Sequence, residues 1–172
     1  MTEEPLFDSM HAALTFAYRY SGQQYSPSLM AQMMRRHIGS GKGLSGLDGA
    51  AQAGLIRGLI GKLHKQDQAM ISARFAADEH ERIEAMLFFV PVVIASYPTG
   101  VHSRRAADVL IQKWFGAWFG ARLNINGAAE EIGVHRNTAG PMWAATNRIL
   151  RETLERAEEA AFQELRAAGI IS

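Results

Sequence analysis

The segment NGAAEEIGVHRNTAGPMW, residues 126–143, most constrains what this chain of 172 residues can fold into. It contains the small residues Ala128 and Ala129, the apolar Ile132, and then Gly133, which can adopt a positive φ. Small residues let two helices cross closely, and a glycine in the turn lets the second helix leave at a steep angle. The segment therefore predicts a short helix, a tight turn at Gly133 and a second helix.

The residues around this turn complete one pattern. Val134 is placed to fill the angle between the two helices, and Ala139 and Met142 have the spacing of inward positions on the second helix. Asn126 is the residue expected to cap the first helix. Together these positions predict a helix-turn-helix, a motif that presents the N-terminal residues of its second helix to the major groove of DNA.

Four residues at the start of the second helix are the predicted DNA-binding residues: His135, Arg136, Asn137 and Thr138. Arginine pairs with guanine and asparagine with adenine at base edges, and threonine can contact phosphate. The structural alternative is that Asn137 or Thr138 only caps a helix, since both residue types are favoured there.

The pair Gly140 and Pro141 conflicts with an ordinary second helix. If this helix begins at Arg136, Pro141 is its sixth residue, where a proline costs about 3 kcal/mol through a lost hydrogen bond and steric crowding. Either a new helix begins at Pro141, or one kinked helix extends from Arg136 to about Ala167. Both alternatives confine the expected base-reading surface to about one turn, residues 135–139.

Nearly every other segment has helical periodicity, and no run alternates with period two for long enough to indicate a sheet. The predicted fold class is all-α, a helical bundle with a C-terminal helix-turn-helix and a long terminal helix. We expect three regions: N-terminal helices and a flexible loop (1–43), a central helical bundle (44–100), and the helix-turn-helix with the long helix (101–172).

Several side chains are assigned to particular helix faces. In the central region the predicted buried stripe is Leu47, Ala51, Leu55, Leu59 and Leu63, on a glycine-rich helix that another helix should approach closely. The apolar run 85–95 is expected to form a core helix that Pro91 kinks or ends. In residues 102–120 the predicted inward side is Ala106, Val109, Leu110, Trp114 and Trp118. Glu152 and Arg156 are spaced for an ion pair on an exposed helix surface.

The net charge of +1 conceals an uneven distribution. Residues 35–65 carry six basic side chains and one acidic one, and residues 101–150 carry six basic and three acidic ones. A polyanion can bind such surfaces. A second candidate patch for nucleic acid or a protein partner therefore consists of Arg35, Arg36, Lys42 and Arg57.

No pattern of residues indicates catalysis, a metal or a cofactor, so we expect a protein that is not an enzyme. The chain has no cysteine, which excludes disulfides and cysteine-ligated zinc and suits the cytoplasm. The loop GSGKGLSG lacks the first glycine and the Ser or Thr of a phosphate-binding loop, and HERIE lacks the second histidine of a zinc protease. No secretory signal is evident, and the longest apolar run is shorter than the roughly 20 residues of a membrane span.

The order of these segments resembles a known family. GLDGAAQAGLIRGLIGKL is followed by an amphipathic helix, then INGAAEEIGVHRNTAG, then a long charged helix. Over residues 44–165 this order is similar to the phage antitermination Q proteins of the lambdoid type, whose DNA-binding part is similar to region 4 of bacterial sigma factors. The resemblance implies a protein that binds DNA overlapping a late promoter and loads onto a paused bacterial RNA polymerase holoenzyme. Such a protein then travels with the enzyme past terminators.

The expected partners are therefore double-stranded DNA and RNA polymerase holoenzyme, with nascent RNA as a further candidate and no membrane. Two alternatives stay open. One is a DNA-binding repressor, or the DNA-recognition subunit of a phage packaging machine of the small-terminase kind, without polymerase contact. The other is an interaction protein whose helical bundle only imitates a DNA-binding motif.

Overall fold

A computed structural model describes residues 5–23, 47–98 and 103–172, and the all-α prediction is confirmed for these residues. They contain no β-strand, and Phe7 and Ile171 form an isolated bridge between the two ends of the chain. The α-helices are α1 (Met10–Gln23), α2 (Leu47–Ile60), α3 (Lys65–Phe75), α4 (Glu79–Leu87), α5 (Val90–Ala95), α6 (Arg104–Gly116), α7 (Ile125–Ile132) and α8 (Arg136–Ala167). A short 3₁₀ helix, Ala117–Phe119, follows α6.

Side-chain caps set several helix starts. The hydroxyl oxygen of Ser9 accepts a hydrogen bond from the backbone N–H of Ala12 in the first turn of α1. Ser103 caps α6 in the same way, and the carboxylate of Asp78 caps α4. Each cap satisfies a backbone donor that has no acceptor within its helix. These polar residues therefore place the helix starts by local chemistry alone.

The apolar run 85–95 was predicted to form a core helix that Pro91 kinks or ends, but it is divided between two helices and the first ends before Pro91. Helix α4 ends at Leu87, and Pro91 lies in the first turn of α5, where a missing N–H costs nothing. Leu87 and Phe88 are exposed, whereas Phe89 is buried. The proline therefore starts a new helix, and the break allows one run of apolar residues to face both the core and the surface.

Helix α8 is the element on which the fold is assembled, because it packs against α1, α2, α3, α5, α6 and α7. Its buried side chains recur every three or four residues along one face: Ala139, Met142, Thr146, Leu150, Thr153, Ala157, Ala161 and Leu165. Polar anchors fix its first half, since the indole N–H of Trp114 donates to the Asn147 side chain at 3.0 Å. The start of α8 is therefore held in place by the rest of the bundle.

The predicted buried stripe of α2 is wrong at two positions. Ala51 is exposed and Leu55 is 50 % exposed, whereas Ala53 and Ile56 are buried. Apolar residues occur on every side of α2, so the periodicity of the sequence could not show which side is buried. Its packing against α1 and α8 selects it instead.

The glycines of α2 have different roles. A Cβ atom at Gly49 would lie 2.8 Å from the ring of Tyr20, so this glycine does allow the close approach of α1 that was expected. Gly54 and Gly58 face open space, and a Cβ atom at either position would meet nothing within 4 Å. The predicted close approach of a neighbouring helix therefore holds at one glycine and fails at these two.

Arg156 does not depend on Glu152, the partner that the sequence suggested. Its Nε instead donates a hydrogen bond to the Asp67 carboxylate at 2.8 Å, and its Nη2 forms an ion pair with the same oxygen at 2.7 Å. Nη2 also donates a hydrogen bond to the side-chain oxygen of Gln66 at 3.1 Å. Only 2 % of the Asp67 side chain is exposed. The pair ties α8 to α3, which the sequence could not indicate because the two residues are far apart in the chain.

Replacing Arg156 with alanine is expected to lower the free energy of unfolding by about 2 kcal/mol, because the buried Asp67 carboxylate loses its counter-charge. The expected loss is smaller than for a fully buried pair, since 52 % of the Arg156 side chain is exposed and water can reach the gap. Urea denaturation measures the effect. Arg151→Ala is the matched control because it removes an exposed arginine of the same helix with no ion-pair partner among the described residues. Equal stability of the two variants would contradict the prediction.

Part of the region predicted to hold N-terminal helices and a flexible loop lies outside the described residues, including residues 24–43. Within the described ranges, no helix is both long enough and apolar enough to cross a membrane.

Candidate nucleic-acid interface

Helix α7 begins at a cap two residues earlier than expected. The side-chain oxygen of Asn124 accepts hydrogen bonds from the backbone N–H groups of Asn126 and Gly127, at 3.1 and 3.2 Å. Asn124 has an extended backbone, whereas Asn126 already lies within the first turn of the helix. The prediction of Asn126 as the cap is therefore wrong, since a cap residue must lie before the helix.

The turn after α7 lies at the predicted glycine. Gly133 has φ 72° and ψ 33°, the left-handed conformation that a side chain would strain. The N–H of Gly133 donates to the carbonyl of Glu130 at 3.2 Å, and the N–H of Val134 donates to that of Ala129 at 3.0 Å. These bonds close the C-terminal end of α7 and turn the chain toward α8.

Gly133→Ala is expected to lower the free energy of unfolding by about 1 kcal/mol, because alanine is strained at positive φ. Gly54→Ala makes the same chemical change in the middle of a helix with open space around it, so it is expected to raise stability by about 0.5–1 kcal/mol. Thermal unfolding followed by circular dichroism compares the two variants. A gain in stability from Gly133→Ala would contradict the assignment of the turn.

Small and apolar residues form the contact between α7 and α8 as predicted. Ala128 and Ala129 of α7 are 1 % and 4 % exposed, and Ala139 and Met142 of α8 are fully buried. Ile132 packs against the same core from a partly buried position. The two helices thus pack through these small and apolar side chains, and the opposite face of each helix is exposed to solvent.

His135 is the N-terminal cap of α8, a role that the sequence did not suggest. Its Nδ1 accepts a hydrogen bond from the backbone N–H of Asn137 at 3.2 Å, and its backbone is extended. The alternative that Asn137 or Thr138 caps the helix is therefore wrong, because both residues lie inside α8. Histidine is an uncommon cap, which is why the usual capping residues Asn and Thr were considered instead.

Helix α8 is continuous from Arg136 to Ala167, with Pro141 inside it. Of the two arrangements compatible with Gly140 and Pro141, the single helix is thus the one observed. Glycine eases this arrangement, because a Cβ atom before a proline would press against the proline ring in a helical backbone. The helix and its exposed outer face continue beyond Pro141, so the structure itself does not end the exposed surface at residue 139.

The predicted DNA-binding residues lie together at the beginning of α8. His135, Arg136 and Asn137 are exposed, and Thr138 is half-buried. Among the described residues, the side chains of Arg136 and Asn137 have no hydrogen-bond or ion-pair partner. They line an open groove of about 570 Å³ together with Asn124 and Asn126 at the start of α7. Polar donors and acceptors of both helices are therefore directed to one shared concave surface.

The second candidate patch is described at one position only. Arg57 forms an ion pair with Glu81 of α4, and its guanidinium carbon lies 4.5 Å from the ring centroid of Tyr18 in α1. Its charge therefore helps to join three helices. Arg35, Arg36 and Lys42 lie outside the described residues.

Comparison with protein-family models, with curated proteins and with solved structures finds no match to this chain. Among the described residues, no group of three or more His, Asp or Glu side chains is arranged to hold a metal ion.

Proposed function

We propose that this protein binds double-stranded DNA in a sequence-specific manner and regulates transcription, with α8 as the helix that enters the major groove. The observation that carries the proposal is the state of Arg136 and Asn137. Both are exposed at the N-terminal end of α8, and neither side chain has a polar partner within the described part of the chain. Their chemistry is that of two well-established base contacts, arginine with guanine and asparagine with adenine.

The distribution of charge supports the same surface. Lys113 is neutralised by Glu131 of α7 at 2.7 Å. Arg122, Arg136 and Arg148 are exposed and form no ion pair with any described residue. Unpaired arginines are available to neutralise phosphates, and phosphate contacts supply most of the affinity of DNA-binding proteins.

Pro141 is a further observation in favour of this surface. It occupies the interior of α8, where proline is unfavourable, and its side chain is exposed, so it contributes little packing in return. Residues that contradict local preference without a structural benefit concentrate at functional sites. Pro141, which contradicts the local preference for helix, lies one turn after the exposed Asn137.

The transcriptional role that the resemblance suggests is antitermination: loading onto RNA polymerase holoenzyme at a late promoter, followed by passage through terminators. The alternative is a repressor or a packaging subunit of the small-terminase kind, which would bind the same DNA without polymerase. Transcription from a late promoter followed by a terminator separates these roles. Terminator read-through that depends on the protein favours antitermination, and promoter occlusion without read-through favours a repressor.

The test of DNA binding itself is selection from a pool of random duplexes, followed by titration of the selected duplex at several salt concentrations. The proposal predicts that selection enriches one sequence motif. It also predicts that log K for binding falls linearly with log[salt]. Failure to enrich any sequence, or binding that salt does not weaken, would overturn it.

A further inference from the structure

The outer face of α8 continues without interruption beyond the residues that the sequence singled out. Asn137, Pro141, Ala144 and Arg148 follow one another at spacings of three or four residues, and all four are exposed. Residues at these spacings share one face of a helix. The opposite face carries the buried positions that pack on the bundle. Nothing among the described residues covers this outer stripe, so it is open along three turns.

We propose that the DNA-binding surface extends along this face of α8, with Ala144 against the base edges and Arg148 and Arg151 on the phosphate backbone. This inference rests on the proposed function. It adds Ala144 as a specificity position, adds Arg151 as an affinity position, and places Arg148 on the same face of α8. From Asn137 to Arg148 the helix advances about 17 Å. A recognition helix that lies along the groove uses its outer residues over this length, with bases read first and the backbone contacted at its far end.

The charges along α8 set the limits of the proposed surface. Arg148 and Arg151 are exposed and have no ion-pair partner among the described residues. The next exposed residues along the helix are acidic, including Glu152, Glu155 and Glu159. Because phosphates repel carboxylates, DNA can follow α8 as far as Arg151 and not beyond. Arg156, in contrast, is engaged by Asp67 of α3.

Between Asn137 and Arg148 the outer face carries only short side chains. Gly140 has no side chain, and a Cβ atom there would meet nothing within 4 Å apart from its chain neighbours. Pro141 and Ala144 project no long or charged group. A surface of this shape permits the helix backbone to approach base edges closely, and the Ala144 methyl group can contact the C5-methyl of thymine. The short side chains between Asn137 and Arg148 would therefore face the base edges in the groove. The arginines further along α8 would contact the phosphate backbone.

Arg148→Ala and Arg151→Ala test the phosphate positions, with the duplex selected by the unmodified protein as the probe. Each variant is expected to weaken binding about tenfold, equally for selected and random duplexes, and to reduce the slope of log K against log[salt] by about 1. Arg166→Ala is the matched control, since it removes an exposed arginine from the far end of the same helix, and it should change neither quantity.

Ala144→Gln tests the base-edge position, with repeated selection from random duplexes as the measurement. The expected result is an altered preference at one base pair, since the thymine methyl contact is lost and an amide is introduced, while the salt slope is unchanged. An unchanged selected motif together with unchanged salt slopes for Arg148→Ala and Arg151→Ala would overturn this inference alone, provided that binding still requires Arg136 and Asn137. Absence of DNA binding by the unmodified chain would overturn the proposed function as well.

Discussion

Replacing both Arg136 and Asn137 with alanine is expected to lower the affinity for the selected DNA duplex by about 100-fold or more, because each bidentate base contact contributes about 1–3 kcal/mol of discrimination. The loss should be much smaller for random duplexes, since phosphate contacts remain. Gel-shift titrations of the variant with both duplexes measure the two effects. The double variant should therefore show a much lower ratio of specific to non-specific affinity.

The double variant should keep its fold. Both side chains are exposed and lack polar partners among the described residues, and surface substitutions of this kind usually change stability by less than about 0.5 kcal/mol. Arg19→Ala, which removes an exposed arginine from α1, is the control and should leave DNA affinity unchanged. Full affinity of the double variant for the selected duplex would contradict the assignment of α8 as the base-reading helix.

Pro141→Ala is expected to raise the free energy of unfolding by about 2–3 kcal/mol, because a backbone hydrogen bond to the carbonyl of Asn137 becomes possible and the crowding by the proline ring is removed. The melting temperature should rise by about 4–12 °C for a chain of this size. Thermal and urea unfolding measure the change.

Pro98→Ala is the matched control, since Pro98 is exposed and lies outside the helices. Its replacement should change stability by less than about 1 kcal/mol, mainly through the entropy of the unfolded chain. If Pro141→Ala destabilises the protein, α8 does not pass through this position as a regular helix, and the proposed extent of its outer face fails with it.

Features that depend on local chemistry could be predicted from the sequence. The helical character of the described residues follows from apolar spacing, and the turn between α7 and α8 follows from Gly133, which has the positive φ that the turn requires. Ala128 was assigned to the contact between α7 and α8 because it is small, and Ala139 and Met142 because their spacing places both on the inward face of α8. Arg136 and Asn137 were identified by side-chain chemistry at the beginning of a predicted helix.

Features that depend on which helix approaches which could not be predicted. The choice of Ile56 over Leu55 as a buried residue depends on where α1 and α8 lie, because both residues are apolar and adjacent. The partner of Arg156 is Asp67, a residue distant in sequence, rather than the acid one turn away. His135 became a cap because α8 begins at Arg136, and sequence preferences favoured other residues for that role.

The path of α8 through Pro141 shows the physical basis of this division. The sequence by itself determined that Gly140 and Pro141 disfavour a helix, since the missing N–H and the ring are properties of the residue. Only the tertiary structure decided that the helix continues, because buried residues on both sides of the proline, Ala139 and Met142 among them, pack against the same bundle. Burial of a helix face over 32 residues outweighs a local cost of about 3 kcal/mol. Local conformational preferences are properties of individual residues, whereas the burial energy that outweighs them arises only when the helices pack together.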